Sequence, residues 1–454
     1  MRPASLADRR SVRVAGSVLI AAILVAGGVG PATTAAAATP LDDLTFYGRG
    51  YGHGVGMSQY GARGRALAGQ TAETILAHYY AGTTIGSRDP GTNVRVLVLY
   101  AYAATAAAPL TIVGMGDRWT IDGVAATFPA GARALLSPVG AGSTTWSLRV
   151  RTATGTILHD STVTTAVMIR PAPGTMSLPL GSVANRTIKT RTPVTTSFLR
   201  LASKPGSSNV YRGALRVSLG TKATVVNHVA LDDYLRGVVP TEMPSSWPVE
   251  ALDAQAIAAR SYAVFHLHPS TGTFDVYDDT RSQVYRGKNG EAASTDLAIS
   301  STAGAVLLSG SKVANAVFHS ADGGATENNE NVWTSSTGQV IGTPLPYLRG
   351  SSDRAPDGTS YDKASPYATW HTATYSAAAL GAIFAQDSRT NVGTLKAIDL
   401  SRRGVSGRLI SVTLTGSLGS KTVSGEVFRS VFNARRPSAD PQLRSTLFDT
   451  APIP

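Results

Sequence analysis

No cysteine occurs among the 454 residues. Covalent staples are out of reach, so buried apolar surface, hydrogen bonds and ion pairs must hold the chain together. The length makes that feasible, because the fraction of surface buried on folding rises with chain size. The same absence removes disulfides and thiolate chemistry from consideration. It says nothing against export, and the N-terminus carries an export pattern. Arg2, Arg9, Arg10 and Arg13 make a basic start, residues 14–29 are apolar and uncharged, and residues 35–38 are all alanine. The order predicts a signal peptide over 1–38. Its apolar run is shorter than the ~20 residues of a typical spanning helix, a retained anchor being the alternative. Arg9-Arg10 is too short a match to assign a twin-arginine signal.

Without residues 1–38, which carry four arginines and Asp8, the net charge falls from +12 to +9. No other segment is long and apolar enough to cross a membrane, so a secreted or wall-associated product with no stable membrane span is expected. A basic protein outside the membrane favours an anionic partner, and an acidic wall polymer suits that location. Nucleic acid is not expected as a partner, since the Lys and Arg residues are scattered and lack aromatic interleaving or a binding motif. Solubility alone is an equal explanation of the charge.

Short runs of β-branched residues at 94–99, 110–113, 146–150 and 163–169, separated by Gly, Pro, Asp or Ser, predict a β-rich module over 94–200. A linker or long loop is expected at 171–179. Before that module, residues 41–91 pass from glycine-rich loop material into a segment of helical period holding one or two short helices. After it, strands are expected at 215–219, 223–229, 305–308, 313–318, 409–414 and 421–423. Helices are expected from Pro248 and around 425–432, and 210–450 forms a catalytic region. The fold class is mixed α/β, with 41–91 belonging to the same region across the β-rich insertion.

Glu242 stands between Pro240 and Pro244, where the prolines are expected to break regular structure and hold the carboxyl at the mouth of a cleft. Met243, Trp247 and the helix after Pro248 would partly desolvate it and raise its pKa toward the range of a proton donor. Taken alone, Glu242 reads as an ordinary surface or helix-cap carboxylate. Histidines offer no metal site: His53, His266, His268, His319 and His371 are dispersed, without the H-E-x-x-H spacing of a zinc hydrolase, and no metal or cofactor is expected. The glycine-rich run at 50–57 lacks both the Lys-Ser/Thr ending of a P-loop and the strand-first setting of a dinucleotide site.

A set of motifs singles Glu242 out. The stretch VVNHVALDDYLRGVVPTEMPSSWPVEALDAQAIAARSYA at 225–263, with DDTRSQVYRG at 278–287, AVFHSADGGAT at 316–326, GYGHGVGMSQYGA at 50–62, ILAHYYAGT at 75–83, SRRGVSGRLISVTLTG at 401–416 and LRSTLF at 443–448, resembles the SpoIID/LytB family. That family includes sporulation lytic transglycosylases and amidase enhancers. The resemblance implies a peptidoglycan glycan substrate, a catalytic Glu242 in its E-M-P context, and a cell-wall amidase as a possible partner. It also implies that Gln255, Arg260, Ser261, Gln283, Tyr285, His319, Ser320, Gly323, Gly324 and Thr326 line or support a groove. His53, Ser58, Gln59 and Tyr60 of the glycine-rich block would contact the glycan or close the fold. Arg260 reads equally as an anchor for the substrate or as a tie to Asp278 or Asp279. Two departures stand out. The glycine-rich block opens the mature chain instead of following the glutamate segment, which a cyclic rearrangement tolerates if the termini meet. Tyr277 and Ser282 occupy positions where some relatives carry a metal-binding cysteine pair.

The chemistry expected from a single acid is cleavage between N-acetylmuramic acid and N-acetylglucosamine without water. Glu242 protonates the glycosidic oxygen and then accepts the proton of the muramyl C6 hydroxyl as a 1,6-anhydro ring closes. Two rivals stay open. One is a non-catalytic amidase enhancer or peptidoglycan-binding wall protein. The other is a hydrolytic muramidase drawing its second carboxylate from Asp232, Asp233, Asp278, Asp279 or Asp322.

Overall fold

The structure is a computed structural model that describes residues 41–172, 175–177, 193–195, 197–268 and 270–453. The expected signal peptide at 1–38 lies outside the described residues, as do 173–174 and 178–179 of the expected linker at 171–179; within that linker Pro171 ends one strand and Thr175–Ser177 form another, so it is not loop throughout. The chain carries both helices and several sheets, a mixed α/β architecture.

Two sheets carry the β-rich half. The larger has the strand order 276–277, 93–102, 223–230, 214–219, 167–171, 119–121 and 127–128, and only the first pair is parallel. The second runs 157–163, 146–151, 133–138, 110–115, 198–201 and 210–211. Strands from the 94–200 stretch therefore share a sheet with strands from the stretch after 210. Alternation makes one face of each strand apolar. Ile112, Ala134, Leu136, Trp146, Leu148 and Val150 of the second sheet enter one core with Val96, Val98, Ile169, Val217 and Val225 of the first. Trp146 is buried whole because its indole N–H finds the Gly220 carbonyl at 2.8 Å.

The strand Ala223–Ala230 runs without a loop into helix α3, Leu231–Glu242; helices α1 (Gln59–Leu67) and α2 (Ala72–Tyr79) precede it in the chain. The first N–H groups of α3 would be orphans at so abrupt a start, but Leu231 donates to the Thr92 carbonyl and Asp232 to that of Pro90. Leu231, Tyr234, Leu235, Val238 and Val239 fall at i, i+3, i+4, i+7 and i+8 and form the buried stripe. The expectation that Pro240 breaks regular structure before Glu242 is corrected: α3 runs through Pro240 and ends on Glu242. A proline in the last turn removes only its own N–H, and the Met243 N–H still reaches the Val239 carbonyl at 2.9 Å. Pro244 is what stops the helix, holding Met243 extended at φ −125° and ψ 137°.

Helix α4, Val249–Phe265, begins one residue after Pro248 and is buried on nearly every side. Its alanines let α1, α2, α3 and α5 (Ala293–Ser301) approach closely. The glycine-rich block arrives from the far end of the sequence. Met57–Ser58 pairs in parallel with Phe318–His319, and Ser58 then caps α1 by accepting from the Gly61 N–H at 3.1 Å. After the short helix α6 (Asn329–Val332), a last core forms around the sheet 395–399, 411–416, 419–424 with helices α7 (Ala377–Ala385) and α8 (Gly425–Arg435). Phe46 enters this core, its ring 5.3 to 5.8 Å from those of Phe428, Phe432 and Phe448. Tyr47 and Gly48 pair with Asp449 and Phe448, so the two ends of the described chain meet. Among the described residues no helix is long and apolar enough to cross a membrane.

Candidate active site

Glu242 closes α3 beside the segment that follows strand 276–277, and its carboxyl is partly buried. Oε1 accepts the Val284 backbone N–H at 3.1 Å, and Oε2 lies 3.5 Å from the Gln59 amide nitrogen, a long contact. Burial pushes the carboxyl above the usual glutamate value; the donors from Val284 and Gln59 pull it back only in part. The group thus keeps its proton to higher pH than a free glutamate.

Two hollows share this carboxyl. The larger, about 350 Å³, is lined by His53, Tyr262, Thr280 to Val284, Val317, Phe318 and Trp333 as well as Glu242. The smaller, about 270 Å³, runs from Glu242 past Gln59 and His53 to Tyr51, Gly52, Phe318, His319 and Ser320. Among the described residues Glu242 is the sole carboxylate lining either one. The other acids considered from sequence are engaged: Asp232 with Arg260 at 2.8 Å, Asp233 with Arg236 and Arg212, Asp278 with Lys204, and Asp279 with Arg281. Asp322 is wholly buried among Asp353, Asp362 and Arg408.

The imidazoles on the wall are neutral. Burial lowers His53 to about 4, against a partial rise from the Phe318 carbonyl. Its Nδ1 accepts the Val55 N–H at 3.1 Å, which leaves Nε2 to donate to the Phe318 carbonyl at 3.0 Å. Burial also holds His319 well below the ordinary histidine value, and its Nδ1 contacts the Val55 carbonyl at 3.1 Å. Tyr262 is pushed up by burial; Ser282 opposes that shift and the nearby Glu242 adds to it.

The residues singled out from sequence divide into three groups. His53, Gln59, Gln283, His319 and Ser320 line a hollow with Glu242. Behind them, Gln255 accepts from the Gln59 amide at 3.4 Å, and Tyr60 stands edge-on to Trp247 with ring centroids 4.8 Å apart. The rest serve the framework. Arg260 is fully buried on the Asp232 carboxylate and the carbonyls of Ile299 and Ala305, so its tie is to Asp232 and not to Asp278 or Asp279. Ser261 links the Ile257 carbonyl to the Leu307 N–H, and Tyr285 packs on Gly237, where a Cβ would meet its ring at 2.5 Å. Gly323 and Gly324 turn with positive φ over Asp362 and Asp322, and Thr326 bonds Ser351.

Sequence reasoning missed Tyr51, Tyr262, Arg281, Ser282, Phe318, Trp333 and the Val284 N–H. Tyr51 and Phe318 lie inside the quoted motifs, and Tyr262 follows Ser261 directly, so adjacency was a usable signal. Trp333 and a backbone donor carry none. Tyr277 and Ser282, the positions of the cysteine pair in some relatives, are neighbours here, the Ser282 hydroxyl accepting the Tyr277 N–H at 3.1 Å. Among the described residues no group of three or more His, Cys, Asp or Glu could hold a metal ion.

Fold and groove together define a mixed α/β protein with a partly buried glutamate held beside two hollows at the end of a buried helix. Comparison adds a likeness there: residues 220–308, which include α3, α4 and Glu242, match the model of SpoIID, stage II sporulation protein. It is similar to an uncharacterized protein of Brachyspira hyodysenteriae, 39% identical over 128 residues, 28% of this chain and 33% of that one. The amidase enhancer of Bacillus subtilis is 38% identical over 146 residues, 31% of this chain and 20% of that one. Stage II sporulation protein D of Bacillus subtilis is 33% identical over 200 residues, 40% and 52% of the two chains. The chain thus spans about half or less of the length of these curated relatives.

Proposed function

We propose that this chain acts on the bacterial cell wall as a lytic transglycosylase, cleaving peptidoglycan strands between N-acetylmuramic acid and N-acetylglucosamine. The observation that carries the reading is a single carboxyl, its pKa raised by burial, shared by two hollows, with no second carboxylate lining either among the described residues. A hydrolase of the usual kind needs that second group, to activate water or to attack the sugar. Transglycosylation does not, because the substrate's own C6 hydroxyl is the nucleophile.

With a sugar in each hollow, Glu242 donates its proton to the bridging oxygen as the bond to muramyl C1 breaks. The resulting carboxylate then takes the proton of the C6 hydroxyl while that oxygen closes on C1, so the acid is regenerated and no water is consumed. The Val284 N–H and the Gln59 amide hold the carboxyl in place and steady the anion between the two steps. Neutral His53 and His319 add no positive charge beside the oxocarbenium ion that develops. The export pattern of the first 38 residues and the basic charge suit a secreted, wall-associated enzyme.

Similarity to an amidase enhancer supports a second reading, a glycan-binding protein that assists an amidase without cutting. Digestion of purified glycan strands, with and without stem peptides, separates the two by mass spectrometry. Anhydromuramyl ends that vanish in Glu242→Gln are expected. Reducing ends would indicate hydrolysis, and no new ends would leave the binding role.

A further inference from the structure

Each hollow has an arginine stacked on a tyrosine at its edge, and the two differ in what their N–H groups do. Beside the larger hollow, Arg281 lies 3.8 Å over the Tyr277 ring and turns its donors onto Asp279, with side-chain contacts of 2.8 to 3.1 Å. That guanidinium is spoken for. Beside the smaller hollow, Arg444 lies 5.8 Å over Tyr51 and 4.7 Å over Tyr367, whose rings stand 4.9 Å apart. Tyr51 lines the hollow, and the Gly52 N–H, also on its wall, donates to the Arg444 carbonyl at 3.2 Å. Backbone and ring contacts thus hold the arginine at the rim. Among the described residues its guanidinium makes no hydrogen bond and no ion pair.

A guanidinium oriented by aromatic faces, with its forked donors unspent, is suited to a carboxylate. The stacking fixes the plane of the group, so little side-chain freedom is lost on binding. We propose that Arg444 is a carboxylate clamp of the smaller hollow, binding an acidic substituent of the muramyl residue. This rests on the glycan reading above and adds to it a means of choosing the substrate. Two sources share the chemistry: the lactyl carboxylate exposed when the stem peptide is absent, and a carboxylate of the stem peptide when it is present.

The test measures equilibrium binding by the full chain carrying Glu242→Gln, so that no strand is cut. Three probes are used: stripped glycan oligosaccharides, the same oligosaccharides as methyl esters, and peptide-bearing oligosaccharides. The free acid is expected to bind more tightly than its ester on the order of tenfold, the scale of one charge-assisted bidentate contact. Adding Arg444→Ala is expected to erase that gap by weakening the acid alone, and Arg444→Lys to restore part of it. An Arg444→Ala loss confined to stripped strands assigns the lactyl group; a loss confined to peptide-bearing strands assigns the stem. Equal binding of acid and ester with no Arg444→Ala loss on peptide-bearing strands, an equal Arg444→Ala loss on all three probes, or no binding of any probe overturns the clamp. An intact acid-to-ester gap with no cleavage by the native chain removes the transglycosylase reading and leaves the clamp standing.

Discussion

Glu242 and Asp322 are both carboxyls raised by burial, and only one of them lines a hollow. Asp322 lies wholly inside, its pKa pushed far up by burial and further by Asp353 and Asp362, with the Gly324 N–H and Arg408 opposing. Its Oδ1 accepts the Gly324 N–H at 2.9 Å, and it lines neither hollow. Glu242 shares the cause, but both hollows open onto its oxygens. Burial therefore decides whether an acid keeps its proton, and access decides whether the proton can be given away. A raised pKa by itself marks a buried acid, and the groove marks the site.

The sharpest break of this comparison is a pair of amide substitutions. Glu242→Gln removes the transferable proton and should lower the rate of anhydromuramyl formation by roughly 10²- to 10⁴-fold, the usual share of a general acid. Asp322→Asn keeps an acceptor for the Gly324 N–H at a position that lines neither hollow, and should leave the rate within about threefold, a change typical of a site outside the chemistry. Comparable losses in both would end the distinction. Next comes Arg260, placed in the groove by resemblance and in the framework by geometry. Arg260→Ala leaves Asp232 buried and unpaired and should cost about 3–5 kcal/mol in urea denaturation. Cleavage per folded molecule should persist. A fall in kcat with unchanged stability would move Arg260 back to the groove.

The elements easiest to read were those whose patterns are local. The 223–229 strand alternates, α4 starts at a proline, and the 425–432 helix has its cap at Ser424 with the Val427 N–H 3.1 Å away. Glu242 was legible because its surrounding motif is contiguous. What failed was the local rule at Pro240: a proline ends a helix by propensity, but α3 is held by its buried stripe, and packing outweighs one missing donor. The groove itself was less visible. Its second wall depends on Met57–Ser58 pairing with Phe318–His319, a contact across about 260 residues that no sequence period announces. Through that pairing the glycine-rich block reaches Glu242 in space despite its early position, and the described ends of the chain adjoin.

A third test uses pH. Because the folded pKa of Glu242 is raised, the folded state binds more protons than the unfolded chain between the ordinary glutamate value and the raised one. Stability contributed by this group is therefore lost as pH rises through that window, and cleavage is lost as pH passes the raised value. Glu242→Gln has no proton to release. It should be the more stable protein above the window, with the difference fading below it, as read from denaturation midpoints across pH. A constant difference at every pH would mean that packing, and not the buried charge, separates the two.

The smallest expected effect tests the donor brought by the distant block. Gln59 favours the ionised form of Glu242, so its amide lowers the pKa that burial raises. Gln59→Leu removes that donor and keeps an apolar side chain of similar size. The proton should then be held to higher pH, and the falling limb of the pH–rate profile should move toward alkali. The shift should be modest, because the contact is 3.5 Å long and the shorter bond from the Val284 N–H remains. Activity on the acid side should change little. If the limb moves toward acid instead, Gln59 is not acting as a donor to the carboxylate. The parallel pairing of residues 57–58 with 318–319 would then matter only for the shape of the groove, not for the proton in it.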